Sequence, residues 1–463
     1  MRIIRSVVAS VALMASISAM AQSPGLTSLP PAPSIHLTLN SAQMGNGAGI
    51  PSQGGIPTLT RHQAEQMAIR NNPRISASRL LALAQHQVVR EAHSADLPFA
   101  EEDTTAMDAQ EGGRLSAGDL SSSRMLTHAG SGLVLSQLIT NFGRVHNLVL
   151  TQKLEQQAMQ ANAIATNQEI VLYTDQAFYN ALTAEAILKV AKQTVATRTV
   201  TETQVRELTQ NKLRSTLDLS IAEVNVSEAK LMEIDAEDNA ASTMATLDAI
   251  LGLDHSQTFR LIDNPATPGA PPLDSKTLVQ EALHQRPDLQ SLSYSTQSAK
   301  KFARAQWDQL LPSISVLGTV GATPVRPDQY YNSNWWGAIG VNLNIPIFNG
   351  FLYTSQAKEA EYHAKADAEY ERNLRDRIVR DVHIAWLQTQ AAYQKLGVTA
   401  QLVKEADMSL SLAQTRYQLG LSSIVELSQA QLQQTTAQIE FTNAHYEYRL
   451  ALATLRYQIG QNP

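Results

Sequence analysis

The residues that could support metal or nucleophilic chemistry are scattered through the 463-residue sequence. His86 and His93 fall on one face of a predicted helix, but no carboxylate or further histidine follows at the spacing of a zinc site. The sequence has no HExxH motif, no phosphate-binding loop and no nucleophile elbow. The segment Gly130-Ser131-Gly132 lies where a predicted strand begins and is typical of a turn. We therefore expect no enzymatic activity, no cofactor and no metal site.

Two carboxylates recur at the spacing of a repeat in the chain. Asp218 and Glu426 are 208 residues apart, and each follows a break between predicted helices, near Asn211 and near Gly420. The two copies of the repeat therefore hold equivalent carboxylates. On the residues alone, Glu426 is more often a solvated acid at a helix end than a functional one.

The predicted elements that position these carboxylates occur twice in the sequence. Two prolines that lie 25 residues apart, Pro73 and Pro98, recur with the same separation as Pro287 and Pro312. Each copy reads as a short helix, a second helix, two strand candidates and a very long helical stretch that is broken once. Self-similarity of this kind indicates one architectural plan used twice.

The repeat and the composition divide the chain into five segments. Residues 1–21 have the basic start, apolar stretch and small-residue site of a cleavable export signal. Residues 22–57, rich in Pro, Gly and Ser, read as a flexible arm. The rest is a first repeat at 58–252 (hairpin about 98–141, long helices 143–252), a linker at 253–273 and a second repeat at 274–463 (hairpin about 312–348, long helices 350–460).

The second hairpin has the clearest strand pattern. Asn, Gly, Ala and Pro alternate with large apolar residues, and neither face carries a charge. The apolar positions, which we predict to face lipid, are Ile339, Val341, Leu343, Ile345 and Ile347. The aromatic residues at one end, which resemble the girdle of a membrane interface, are Tyr330, Tyr331, Trp335 and Trp336. A half-buried hairpin packed on helices would show the same alternation, so the pattern alone does not choose between the two.

The first hairpin is less regular. Gln137 interrupts its apolar face, and the strand before it would carry Glu101, Glu102 and Asp103. Carboxylates facing lipid are destabilising, most of all near the midplane. We therefore expect this strand either to begin later than Pro98 or to hold its acids at the rim.

The long helical stretches need neighbours along their whole length. Residues 351–418 contain no proline, and at 1.5 Å per residue they would extend about 100 Å. The stretch after Gly420 has two apolar stripes on nearly opposite sides. One is Val425, Leu432, Ile439, Tyr446 and Ala453, seven residues apart, and the other is Leu427, Phe441, Tyr448 and Leu455. Such a helix suits the wall of a tube, although a rod-like coiled coil stays possible on the helix pattern alone.

The number of predicted strands indicates that the protein is an oligomer. If the strands span a bilayer, several chains must combine them, because four strands cannot close a barrel and an open sheet edge cannot lie in lipid. The predicted fold class is therefore a mixed α and β membrane protein with an internal two-fold repeat. An oligomeric transmembrane β-barrel, with four strands per chain, would continue into a long α-helical coiled-coil barrel.

The composition argues against several other kinds of protein. The sequence has no cysteine, so it offers no disulfide, thiolate metal site or lipidated N-terminal cysteine, and we expect a protein that is not lipidated. Its formal net charge of −6 argues against a nucleic-acid partner.

Three motifs resemble those of the TolC-type outer-membrane efflux family, and the resemblance runs over about residues 59–461. The passages Leu135–Arg144 and Ile345–Gly350 are similar to the family's entry into its long helices, and Arg416–Ser422 resembles its periplasmic-tip signature. The duplication is also a trait of the family.

The resemblance implies an exit duct for an efflux or secretion system. It implies a homotrimer with a twelve-strand barrel in outer-membrane lipid and a twelve-helix tube in the periplasm of a Gram-negative cell. The implied partners are a periplasmic adaptor protein, which grips the helical tips, and an inner-membrane efflux pump or ABC exporter. The alternative is a periplasmic coiled-coil structural or adaptor protein of an envelope complex, although the Gly- and Val-rich domains of adaptors are absent from the sequence.

The resemblance also implies roles at the tip. Tyr417 and Asp218 match residues that latch the tip closed, and Glu426 matches the outer of two acidic rings around the aperture. The chain departs from the family at Gln429, where the next ring has an acid, and at Ser422, where the family has a latching arginine. Gly420 and Leu421 complete the predicted tip.

Overall fold

The computed structural model describes residues 57–109, 126–253, 259–263, 269–272, 274–327 and 333–461. These residues form mostly helix, with one four-stranded sheet and one two-stranded pair. The predicted export signal and nearly all of the predicted arm lie outside them, as do Tyr330 and Tyr331 of the predicted girdle.

The elements come in two similar series. The first is β1 (Thr58–Thr60), α1 (Arg61–Asn71), α2 (Pro73–Ser94), β2 (Phe99–Met107), β3 (His128–Thr140), α3 (Arg144–Gln210) and α4 (Thr216–Ile250). The second is β4 (Arg260–Ile262), α5 (Ser275–Gln285), α6 (Pro287–Trp307), a 3₁₀ turn (Asp308–Leu310), β5 (Ser313–Val325), β6 (Trp335–Asn344), α7 (Leu352–Gln418) and α8 (Ile424–Gln458). Helices α3 and α7 both have 67 residues, and α4 and α8 both have 35.

Local sequence explains where the short helices begin. Thr60 caps α1 in a capping box with Gln63, and Asp274 caps α5 by accepting from two backbone N–H groups. Asn72 caps α2, whose first residue is Pro73. A proline at the first helical position costs nothing, because its missing N–H would have no partner inside the helix.

Two glycines let the long helices end against the short ones. Gly252 follows α4 with φ +70°, and a Cβ there would lie 2.8 Å from the backbone oxygen of Asn71. Gly460 follows α8 with φ +78°, and a Cβ there would lie 3.0 Å from the backbone of Gln285. Both positions need the left-handed conformation and the close approach that only glycine gives without strain.

The four-stranded sheet is antiparallel, in the order β2-β3-β5-β6. Strand β6 ends at Asn344, which pairs with Ser313, the first residue of β5. Pro346 has no N–H to donate to a ladder, so pairing stops before it. The prediction that Ile345 and Ile347 belong to the lipid-facing strand is therefore wrong.

Strand β2 removes one of the two expected alternatives. It begins at Phe99, directly after Pro98, and includes all three acids, so of the two alternatives only a position of the acids at the rim stays a prediction. Glu102 stands opposite Leu133, on one face of the sheet, and its carboxylate accepts a hydrogen bond from Ser131 Oγ at 3.0 Å. Backbone pairing with β3 sets the position of these acids, and a neighbouring hydroxyl supplies a partner for one of them.

The helices form two layers that share α3 and α7. Near the sheet, contacts run α2–α3–α6–α7, and toward the other end they run α4–α3–α8–α7. The stripe of α8 that contains Leu427, Tyr448 and Leu455 is buried, whereas Val425 and Leu432 of the other stripe stay exposed. Among the helices that the structure describes, none combines the length and apolarity needed to cross a lipid bilayer.

An ionic cluster joins α1 to the middle of α3. Arg61 lies between Glu65, at 2.6 Å, and Asp175, at 3.0 Å, and both carboxylates are almost wholly buried. Burial raises the pKa of Asp175 to about 7, although the Arg61 charge acts in the opposite direction.

Candidate functional site

The predicted tip is built from two turns at one end of the long helices. Lys212 lies in the first turn, between α3 and α4, and Gly420 in the second, between α7 and α8. Both have left-handed backbones, with φ of 58° and 73°. Ser215 caps α4 and Ser423 caps α8, so each long helix reverses within a few residues.

A small apolar cluster holds the two turns together. Its buried members come from all four long helices: Val205, Ala222, Tyr417, Ile424 and Leu427. Tyr417 is only 6% exposed, and its hydroxyl has no hydrogen-bond partner among the described residues. Burial raises the pKa of Tyr417, the charge of Arg214 lowers it, and the charge of Asp218 raises it further.

Arg214 makes the direct contact between the turns. Its Nη2 donates to the backbone oxygen of Tyr417 at 3.0 Å, and its guanidinium carbon lies 4.5 Å from the centre of the Tyr417 ring. The same carbonyl accepts from Gly420 N at 3.0 Å, so it is held from both turns. A charged donor together with a cation–π contact makes this a strong local clasp.

Sequence reasoning missed Arg214. It considered the family's arginine only at Ser422, where this chain has none. Arg214 lies 208 residues before Ser422, which is the offset between the two repeats, so the arginine occupies the equivalent turn of the other copy. That offset was the available signal. The Ser422 hydroxyl is buried and has no hydrogen-bond partner within the described chain.

Polar contacts continue from the clasp along the helices and join the first series of elements to the second. Asn225 of α4 donates to Ser428 Oγ of α8 at 2.7 Å, and Gln431 of α8 donates to Thr201 Oγ1 of α3 at 3.1 Å. Further along, the hydroxyls of Thr194 and Thr435 lie 3.3 Å apart. We call these three contacts the polar seam. Water can replace hydrogen bonds of this kind when two surfaces separate, so the seam opposes opening less than an apolar core would.

The predicted acids at the tip are placed differently from one another. Glu426 is exposed and forms an ion pair with Arg416 at 3.0 Å, so a cation from α7 accompanies its charge. Asp218 is half-buried near Tyr417, and Gln429 and Leu421 are exposed. The tip therefore carries one acid beside the tyrosine and one acid paired with an arginine.

The sheet is the second candidate surface. On one face, register and alternation place Ile339, Val341 and Leu343 beside Leu133, Leu135 and Val320. Ile339 is 84% exposed, so the described part of the chain leaves that apolar row uncovered.

The two tryptophans separate across the sheet. Trp335 lies on the apolar face, but Trp336 lies on the opposite face with Asn342 and Asn344. The predicted girdle is therefore wrong for Trp336, because adjacent residues of a strand point to opposite sides.

Across the ranges that the structure describes, no three His, Asp or Glu side chains gather into a metal-binding group. The geometry provides a clasped tip with a polar seam and a sheet with one uncovered apolar face.

Comparison with known proteins gives consistent matches. The family described as Outer membrane efflux protein matches residues 64–253 and 278–461. The outer membrane protein TolC of Escherichia coli (strain K12) is 23% identical over 350 residues, which are 71% of this chain and 69% of that protein. TolC of Vibrio cholerae is 26% identical over 319 residues, which are 66% of this chain and 71% of that protein. The CmeC outer membrane channel of Campylobacter jejuni shares the fold, with a TM-score of 0.77 at 17% identity over 87% of this chain and 85% of that one.

Proposed function

The chain belongs to the outer membrane efflux protein family, and from this we propose that it is the exit duct of a tripartite efflux or secretion system. Substrates would pass from an inner-membrane pump and a periplasmic adaptor through this channel to the outside of the cell. The observation that carries the proposal is a four-stranded sheet with two open edges and an uncovered apolar face, continuous with very long helices.

The open edges support a ring of identical chains. The sheet ends in β2 and β6, the helix layer next to it ends in α2 and α7, and the far layer ends in α4 and α7. In each layer the first series supplies one edge and the second series supplies the other. A rotation that joins these edges between neighbouring copies closes all three layers together.

Exposed apolar side chains lie on the helical edges. Leu217, Val224 and Leu231 of α4 are exposed and seven residues apart, which is the pattern of a coiled-coil seam, and no described residue of the same chain covers it. Helix α7, the opposite edge, exposes Val398, Leu402 and Leu412. Each α4 would pack on the α7 of the next copy. We propose a homotrimer, with twelve strands and with twelve helices around the tube.

The apolar sheet face would lie against outer-membrane lipid, and the helices would extend into the periplasm. Ile339, Val341 and Leu343 form the lipid-facing row, with Trp335 at one end of it. Residues 1–21 would be a cleaved export signal. The repeats at 58–252 and 274–463 would each supply two strands and two long helices to the assembled duct.

The helical tips would be the periplasmic gate. The clasp between Arg214 and Tyr417, with Asp218 beside the ring, would hold the gate closed, and the polar seam would be the line along which it opens. Glu426 would line the aperture with its charge reduced by Arg416, and Gln429 would contribute no charge. The adaptor protein would bind around these tips and relieve the clasp.

Membrane fractionation together with electrical recording tests the proposal. The protein should remain in the detergent-resistant outer-membrane fraction, and after purification it should form discrete ion-conducting channels in planar bilayers. Release by osmotic shock, with no conductance from the purified protein, would instead support a periplasmic coiled-coil protein.

A further inference from the structure

The indole of Trp336 lies flat across two neighbouring strands. Trp336 belongs to β6 and pairs with Gly321 of β5, which in turn pairs with Gly132 of β3. A Cβ added to Gly132 would lie 2.7 Å from the ring atoms Cη2 and Cζ2 of Trp336. A Cβ added to Gly321 would collide with the same ring. The indole therefore packs directly on the backbone of the two glycines.

The position of the ring is fixed, yet much of it stays uncovered. The indole Nε1 donates to Thr323 Oγ1 at 3.2 Å, which satisfies its one polar atom. Trp336 nevertheless remains 43% exposed. Since the glycines cover the ring face toward the sheet, the exposed area belongs to the opposite ring face and the edges.

The strand register places two acidic residues of β2 next to the glycine under the far end of the ring. Asp103 of β2 stands directly opposite Gly132, and Glu101 lies on the same sheet face two residues away. Neighbouring strands are about 4.8 Å apart, so the tip of the indole reaches within about one strand spacing of the Asp103 backbone. Arg326, on the connection after β5, donates to the Thr323 carbonyl at 3.4 Å.

We propose that Trp336 and Asp103 form a stacking site for flat, positively charged organic molecules on the inner wall of the duct. The site rests on the proposed function, because the face opposite Ile339, Val341 and Leu343 lines the lumen only if that apolar row faces lipid. An uncovered indole face attracts cations through its ring quadrupole and stacks on planar ones, and the carboxylate adds charge complementarity.

The site lies at the outer end of the barrel. Trp336 is the second residue of β6, and α7 follows the other end of that strand. A cargo molecule would reach this site after passing the helical tube. Three copies would place three such sites around the mouth, where weak and reversible binding favours release to the outside.

Block of single-channel current by ethidium, added on the barrel side, tests the site. Trp336→Ala should weaken the block about fivefold, as expected for one exposed cation–π and stacking contact. Asp103→Asn should weaken it to a similar degree. Trp335→Ala, on the apolar face, is the matched control and should leave the block unchanged. Tetraethylammonium, which is charged but not planar, should depend less on Trp336 than ethidium does, because it can make the cation–π contact but not the stacking contact.

Gly132→Ala provides an independent variant, which keeps the indole but displaces it from its position on the sheet. It should weaken ethidium block as Trp336→Ala does. Combining Gly132→Ala with Trp336→Ala should weaken the block no further than Trp336→Ala does alone. Ethidium block that is equal in the wild type and both single variants would overturn the site while leaving the channel intact. A failure of the proposed function is distinguishable, because then no variant, nor the wild type, would conduct.

Discussion

Removing the Arg214 side chain should loosen the closed tip. In Arg214→Ala the Tyr417 carbonyl loses a charged donor at 3.0 Å, and the ring loses a guanidinium at 4.5 Å. A hydrogen bond to a charged group contributes about 1.5–3 kcal/mol when well buried, and an exposed cation–π contact about 0.5–1 kcal/mol. Because Arg214 is only half-buried, we expect a loss of about 1–3 kcal/mol per chain. That loss corresponds to a shift of about 5- to 150-fold from closed toward open tips.

Single-channel recording in planar bilayers measures this shift directly. Arg214→Ala should show higher mean conductance and more frequent openings than the wild type. Arg214→Lys should lie between them, because it keeps the charge but loses the planar fork. The matched control is Arg206→Ala. Arg206 binds Glu223 at 2.9 Å within the first series of elements, so its loss leaves the contacts between the two series unchanged.

Conductance of Arg214→Ala that equals both the wild type and the Arg206→Ala control would refute the clasp. The same conclusion would follow if Arg206→Ala opened the channel as much as Arg214→Ala, because any loss of charge near the tip would then be sufficient.

Three further perturbations test other parts of the molecule. Val341→Arg should reduce the amount of assembled protein, because a charge facing lipid near the membrane midplane costs about 2–4 kcal/mol per chain. Asn342→Arg, on the opposite face, should assemble normally. Equal loss of heat-resistant oligomer in both variants would contradict the assignment of the lipid-facing side. Glu426→Gln should lower cation preference in reversal-potential measurements at low salt, and Arg416→Gln, which frees that carboxylate, should raise it; a change of the same sign in both would remove Glu426 from the pore. Burial raises the pKa of Asp175 to about 7, so its contribution to stability is full below pH about 4 and is lost as pH rises through about 7. Asp175→Asn should therefore raise the thermal unfolding midpoint more at pH 8 than at pH 5, and a larger gain at pH 5 would contradict the buried-acid explanation.

Helix boundaries were readable from sequence because local chemistry sets them. The caps Thr60 and Asp274 and the first-turn prolines Pro73 and Pro287 each act within a few residues. Helix ends that are fixed in this way by side-chain caps depend only on residues close in the sequence.

Facing and register were harder to predict, because partners distant in sequence determine them. The alternation around Val341 correctly grouped the apolar face, but it gave no sign that pairing stops at Asn344. Trp336 was grouped with Trp335 by proximity in sequence. Its role depends on Gly132, which is two strands away in the sheet and about two hundred residues away in the sequence.

The tip shows how a family pattern can mislead at one position. The motif placed an arginine at Ser422, and the chain has none there. The contact is made from the other copy of the repeat, by Arg214. The 208-residue repeat offset places Arg214 at the turn equivalent to that of Ser422, and the structure shows that the two turns are in contact.

Electron cryomicroscopy of the detergent-extracted protein tests the central claim most directly. Our account predicts a particle of three copies around one axis, with a closed barrel in which β2 of each copy pairs with β6 of the next. The row of Ile339, Val341 and Leu343 should face the detergent belt, and one continuous lumen should run down to the tips that carry Arg214. A monomeric particle, or one in which that apolar row packs against helices of its own chain, would contradict the account.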